Sequence, residues 1–189
     1  DGNNVIHLAC LNNSIKCLEY IIEHAADNLK DLVNKQNLSK SDTPLIIASS
    51  NGYDKIVDVI VMIVDAIDVN AKNAVGRFAL YNACDEGHTD IVNALLNQES
   101  IDINQPTKHG GWTPLYIACE KGHTNIVNAL ISQESIDINK ATTKKKGLTP
   151  LYIACNEGHT GIVNALLNQK SIDINKANTD NGATPLYIA

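Results

Sequence analysis

Long apolar runs are missing from this chain. Its most apolar stretch, residues 56–64, is broken by Asp58 and falls far short of the roughly 20 apolar residues a membrane span needs. The stretch reads instead as one helix of a packed core, and no signal-peptide pattern is visible. A basic excess is missing too: 15 Lys and Arg face 21 Asp and Glu, and the net charge of −6 does not provide the basic stripe that general nucleic-acid binding requires. Aromatic residues are scarce, with one Trp, one Phe and six Tyr among 189 residues, so the tyrosines carry most of the aromatic surface. There is no HExxH, no cysteine pairing at zinc spacing, no phosphate loop and no GxSxG elbow. An enzyme, a metal site or a bound cofactor is therefore not expected.

What the chain does have is internal repetition. The string Thr-Pro-Leu-Tyr-Ile-Ala-Cys occurs at residues 113–119 and 149–155, and a third copy begins at Thr184. Thr43, Phe78, Thr113, Thr149 and Thr184 are equivalent, at intervals of 35, 35, 36 and 35, and a weaker copy begins at Asn4. A second element, Gly-His-Thr followed by Ile-Val, returns at Gly87, Gly122 and Gly158, and Ile-Asp-Ile-Asn closes units at Ile101, Ile136 and Ile172. A period of this size marks one supersecondary unit stacked on copies of itself, with function carried on an extended surface before any pocket.

Each element has a local reason. Thr113 is a helix N-cap and Pro114 takes the first helical position, where its missing N–H costs little. Leu115, Ala118 and Cys119 give that helix a small apolar face, and Gly122 supplies the left-handed residue that ends it. Ile126, Val127, Leu130 and Ile131 then fall on one stripe of a second helix. Each fully buried aliphatic side chain contributes about 1.5–3 kcal/mol, which one isolated unit cannot collect.

This order of elements, TPLYIA, GH, IV, LL or LI, and DIN, resembles the ankyrin repeat across nearly the whole chain. The resemblance implies an all-α solenoid of stacked antiparallel helix pairs with a β-hairpin-like finger at each junction. Residues 1–189 are expected to form a single domain of about five repeats plus the start of a sixth, starting near residues 4, 43, 78, 113, 149 and 184. Both ends look cut, so a fragment of a longer protein is expected. Several departures from the family pattern bear on the structure. Gln98-Glu99-Ser100 and its counterparts add a residue before Asp-Ile-Asn, which predicts a slightly longer second helix. The fingers from Asn104 to Thr113 and from Asn139 to Thr149 are one and two residues longer than that from Asn70 to Phe78, and should reach further. Phe78-Ala79 replaces Thr-Pro and puts that N-cap in doubt. Extra residues between Ile22 and Asn34 predict an added helical turn.

The remaining chemistry-bearing residues have structural readings. Cys84, Cys119 and Cys155 share one register, about 8–10 Å apart on stacked helices, which exceeds the Cα separation of about 4.4–6.8 Å that a disulfide spans. Cys10 and Cys17 lie on the two helices of the first unit and could approach, but the odd total of five favours free thiols in a reducing, cytoplasmic setting, with the nucleus also open. The resemblance gives His88, His123 and His159 the task of tying neighbouring loops. Asp85-Glu86 looks like an acid pair, but Glu120-Lys121 and Asn156-Glu157 in the same place mark a solvated helix end.

Candidate contact residues lie on the first helices and the fingers. Tyr81, Tyr116, Tyr152 and Tyr187 replace the family's usual His near the concave side; each either packs against neighbours or presents its ring to a partner. Trp112 ends a finger at a place otherwise held by Asp42, Arg77, Leu148 and Ala183, a mixed set that points to exposure. It is either an exposed anchor or lies on the adjacent finger. Lys144, Lys145 and Lys146 either steer an acidic partner or simply solubilise a tip. The candidate set is thus Tyr81, Tyr116 and Tyr152, with Asp85, Glu120, Lys121 and Asn156 at the helix ends and Arg77, His109, Trp112, Lys145 and Leu148 on the fingers. The expected function is non-catalytic protein binding by a monomer through the concave face and finger tips, with no nucleic acid and no membrane insertion. The alternatives are a substrate-recruiting region of an enzyme whose catalytic domain lies elsewhere, and an architectural spacer.

Overall fold

The computed structural model describes residues 1–25, 28–63, 67–143 and 146–188, and of Ile63 the backbone alone. Among the described residues every regular element is helical and there is no strand. Contacts divide the chain into two compact units, Asp1–Ile101 and Asp102–Ala189.

The first unit contains α1 (Val5–Leu11), α2 (Ile15–His24), α3 (Leu29–Asn34), α4 (Pro44–Asn51), α5 (Asp54–Ile63), α6 (Ala79–Glu86) and α7 (Thr89–Leu96). Helices α1, α4 and α6 pack in series, as do α2, α5 and α7, and α1/α2, α4/α5 and α6/α7 form the pairs. Helix α3 is the added turn that the extra residues predict; Val33 is buried, and Asn4 Nδ2 donates to Leu32 O at 2.6 Å. The second unit contains α8 (Pro114–Lys121), α9 (Thr124–Ile131), α10 (Pro150–Asn156), α11 (Thr160–Leu167) and α12 (Pro185–Ile188). There α8, α10 and α12 pack in series, α9 packs on α11, and α8/α9 and α10/α11 are the pairs.

The repeated strings are the ones that do this packing. Thr43, Thr113 and Thr149 each accept a hydrogen bond at Oγ1 from the N–H three residues on, at 3.3, 3.1 and 3.1 Å, with Pro at the first helical position. Phe78 makes no cap bond; its ring is wholly buried, 6.0 Å from that of Tyr81. Gly52, Gly87 and Gly122 close their helices in the left-handed region, at φ 73°, 82° and 77°. On the second helices Ile91, Val92 and Leu95, and again Ile126, Val127 and Leu130, are at most 1% exposed, while Ile131 is half-buried.

The second helices are not longer than expected for the pattern. Helices α7 and α9 stop at Leu96 and Ile131, and the added residue goes into a turn closed by Ile101 N–H to Gln98 O (3.1 Å) and Ile136 N–H to Gln133 O (3.2 Å). Backbone bonds close the base of the fingers, for example Asn73 N–H to Arg77 O (2.9 Å), Thr107 N–H to Trp112 O (2.9 Å) and Thr142 N–H to Leu148 O (3.0 Å). The residues added to the longer fingers therefore enlarge their tips.

The recurring Asp-Ile-Asn has a clear role. Asn104 Nδ2 donates to Ser135 O and Asn139 Nδ2 to Ser171 O, both at 2.7 Å. Their Oδ1 atoms accept from Asp137 N–H at 2.8 Å and Asp173 N–H at 2.9 Å. One amide thus satisfies a donor and an acceptor of the next repeat and fixes the register of the stack.

His7 binds the first repeat to the second. Its ring is wholly buried, with Nε2 3.0 Å from Asp42 O and Nδ1 accepting from Asn4 N–H at 3.2 Å. Burial lowers its pKa below the ordinary 6.5, against smaller raising effects of the Asp42 and Lys35 carbonyls. The folded chain therefore holds this proton less tightly than the unfolded chain. Stability is full above the unfolded value and is lost as pH falls through 6.5 towards the lowered one. Amide exchange in α1 is expected to accelerate between pH 7 and pH 5, and less so in His7→Asn; equal acceleration in both would remove His7 as the cause.

Candidate partner-binding surface

In the first unit, Arg77, Tyr81 and Asp85 come together. Arg77 Nη1 lies 3.1 Å from Asp85 Oδ2, and its guanidinium carbon is 5.2 Å from the centre of the Tyr81 ring. The Arg77 side chain keeps 41% of its exposure and Asp85 11%. Tyr81 is 1% exposed, so its ring serves as the platform under the guanidinium and offers no free face.

In the second unit, Tyr116 and Tyr152 are also buried, at 3% and 9% exposure. Packing is what these rings do, in place of the exposed aromatic strip that the register allowed. The Tyr116 hydroxyl reaches Glu120 Oε1 at 3.5 Å. Tyr187, on the four-residue α12, is 79% exposed.

Trp112 is half-buried, in contrast to the exposure expected from the mixed residues at its place. A Cβ on Gly110 would lie 2.5 Å from Trp112 Cε2, so the indole covers its own finger. Trp112 N–H donates to Thr107 Oγ1 at 3.1 Å, and Leu148 N–H donates to Thr142 Oγ1 at 3.0 Å. Asp42, Arg77 and Leu148 are half-buried as well, and Ala183 is buried. His109, Lys121 and Asn156 are exposed, and Glu120 is half-buried. Asn156 Nδ2 donates to Glu157 Oε1 at 2.8 Å. Lys145, with Lys144, lies outside the described residues.

The histidines between helices act within the stack. A Cβ on Gly52 would meet the His88 ring at 2.6 Å and one on Gly122 would meet the His159 ring at 2.7 Å, and His159 Nε2 is 3.2 Å from Glu120 O. Among the described residues no cysteine is in a disulfide. Burial pushes the Cys10 thiol up to about 12 and raises Cys119 and Cys155 as well, which keeps them protonated and poorly nucleophilic. No group of three His, Cys, Asp or Glu among the described residues could hold a metal ion. No described helix is long and apolar enough to cross a membrane.

Helix pairs joined at Gly-His, with fingers at the junctions, define a helical repeat protein. The family model for ankyrin repeats matches residues 1–73, 62–142 and 137–189, and the chain belongs to that family. It is 33% identical over 113 residues to the chain named ankyrin repeat protein YahD of Escherichia coli (strain K12), covering 60% of this chain and 52% of that one. It is 28% identical over 110 residues to tyrosine-protein kinase HTK16 of Hydra vulgaris, covering 58% of this chain and 14% of the kinase. A third relative, the nuclear factor NF-kappa-B p105 subunit of Gallus gallus, is 30% identical over 115 residues, with 60% of this chain and 11% of the subunit covered. The chain thus spans about half of the first of these relatives and far less of the other two. Ankyrin repeats are generally protein–protein interaction modules and generally non-catalytic.

Proposed function

We propose that this chain is a non-catalytic module that holds another protein along its finger tips and the exposed ends of its first helices. One observation carries the reading. Many residues that recur between repeats are buried in the stack, such as Leu115 and Leu151 at 1% and 2% exposure and the capping threonines at 2–3%. Residues that vary between repeats, such as Asn51, Glu86, Lys121 and Glu157 before or near the turn glycine, are at the surface. A repeat whose constant part is used up by stacking leaves its variable part for recognition.

Trp112 is the central contact residue of this reading, half-buried and covering its own finger, and His109, Lys121, Leu148 and Asn156 of the same unit complete the set. A pre-positioned aromatic loses little conformational freedom on binding. Tyr116 and Tyr152, at 3% and 9% exposure, belong to the packed interior of the same unit. Cysteines outside any disulfide fit a reducing, intracellular setting. A second reading, in which the repeats recruit substrate for a catalytic domain elsewhere in a longer protein, is favoured by the match to a kinase.

The test is an affinity capture from source-cell lysate with the chain and with its Trp112→Ala, Lys121→Ala, Asn156→Ala variant, after circular dichroism shows both equally folded. A protein held by the parent and lost by the variant is the expected outcome. Retention of the same proteins by both would move the surface away from these residues.

A further inference from the structure

The net charge of −6 is unevenly distributed along the repeats. Finger segments 35–42, 70–77, 104–112, 139–148 and 175–183 hold ten of the fifteen Lys and Arg residues but only two of the twenty-one Asp and Glu. The fingers therefore carry a formal +8 and the rest of the chain −14.

In the second unit the structure joins three of these fingers into one edge. A Cβ on Gly111 would meet Thr143 N at 2.5 Å, and one on Gly147 would meet Thr179 Cγ2 at 2.7 Å. Thr179 N–H donates to Lys146 O at 2.6 Å, and Lys176 Nζ donates to Asn139 O at 2.8 Å. Lys108, Lys140, Lys146 and Lys176 thereby share that edge, the first and third exposed and the others half-buried. Asp180 is the one acid in these three segments, and it lies 3.0 Å from Lys146, both side chains about half exposed at 49% and 60%. The Asp of each Asp-Ile-Asn stands at the finger's foot, where Asp137 Oδ1 accepts from Asn139 N–H at 3.2 Å and Asp173 Oδ1 from Asn175 N–H at 3.0 Å.

We propose that this finger edge receives an acidic peptide segment, rich in Asp or Glu, of the bound protein. The proposal rests on the binding-module reading and specifies the chemistry of what is bound. Lysines on adjoining fingers add their fields at a short anion, with screening setting in over a Debye length of about 8–10 Å, which raises its encounter rate and selects against basic segments. A duplex nucleic acid carries a charge every 1.7 Å or so and would extend beyond the edge into the field of the acidic remainder, so a short acidic peptide fits better.

Fluorescence anisotropy of the 189-residue chain with a labelled peptide of alternating Glu and Gly tests this, beside its Gln-Gly counterpart and a labelled single-stranded oligonucleotide. The Glu peptide is expected to bind, the Gln peptide to fail, and the affinity to drop about tenfold or more between about 50 and 200 mM salt. Lys108→Gln, Lys140→Gln, Lys146→Gln, Lys176→Gln together should abolish binding; Lys16→Gln, Lys30→Gln, Lys55→Gln, on α2, α3 and α5, should not. The exposed pair Lys108→Gln, Lys146→Gln alone should weaken it and serves if the fourfold variant does not fold. No binding, equal binding of the Gln peptide, an unaffected lysine variant, or tighter binding of the oligonucleotide would each overturn the proposal. A lysate partner that is lost with Trp112→Ala, Lys121→Ala, Asn156→Ala yet kept by the fourfold lysine variant would overturn it while leaving the module reading intact.

Discussion

Leu130→Ala is expected to destabilise the chain by about 2–5 kcal/mol. Leu130 is 0% exposed on α9, beside Ile126 and Val127, and α9 is packed between its pair partner α8 and the next second helix α11. The truncation removes the transfer energy of the side chain and leaves a cavity, because a close-packed interior relaxes only in part. The neighbours limit that relaxation: α8, packed on α9, has Ala118 and Cys119 among its buried residues, both 0% exposed and too short to fill a large gap. Urea unfolding followed by circular dichroism should show a lower midpoint at an unchanged slope. Ile131→Ala, at the half-buried next position, should cost clearly less. A Leu130→Ala loss below about 1 kcal/mol would contradict its place in the core.

The sequence made the frame of the fold legible because that frame is encoded locally. A Thr-Pro start and a Gly end are chemical instructions to a single turn of backbone, and the structure places a cap bond or a left-handed residue at them. The aliphatic stripes were equally legible, since periodicity identifies a face. Periodicity does not say how deeply a neighbour covers that face. Tyr116 could be assigned to the inner side of its helix but not to 3% exposure, because burial depends on what stands above the ring. Trp112 misled for a related reason. Variation at its position among repeats pointed outward, whereas the indole folds over Gly110, a contact made possible by a neighbour without a side chain. The extra residue before Asp-Ile-Asn could lengthen either the helix or the turn, and the count alone does not choose; the turn took it. Net charge hid the most consequential pattern, because a sum over the chain erases the opposite signs of fingers and helices. Counting charge by element recovers it from the same letters.

Gly111→Ala is expected to cost clearly more than Gly158→Ala, although both residues sit at nearly the same backbone angle, φ 69° and 73°. An L side chain in that region costs about 1–2 kcal/mol by itself, and both variants bear that cost. At Gly158 nothing lies within 4 Å of the added carbon, so the loss should stop there. At Gly111 the new methyl would meet the hydroxyl and, at 2.5 Å, the backbone nitrogen of Thr143 on the next finger. A side-chain tip can rotate away, but a backbone nitrogen moves only with its finger. That displacement adds about 1–3 kcal/mol, the usual penalty for overpacking. Paired urea titrations of the two variants measure the difference directly. Equal losses would mean that the finger at residues 139–148 shifts aside freely, and a finger free to shift could not hold Lys140 and Lys146 in one edge with Lys108.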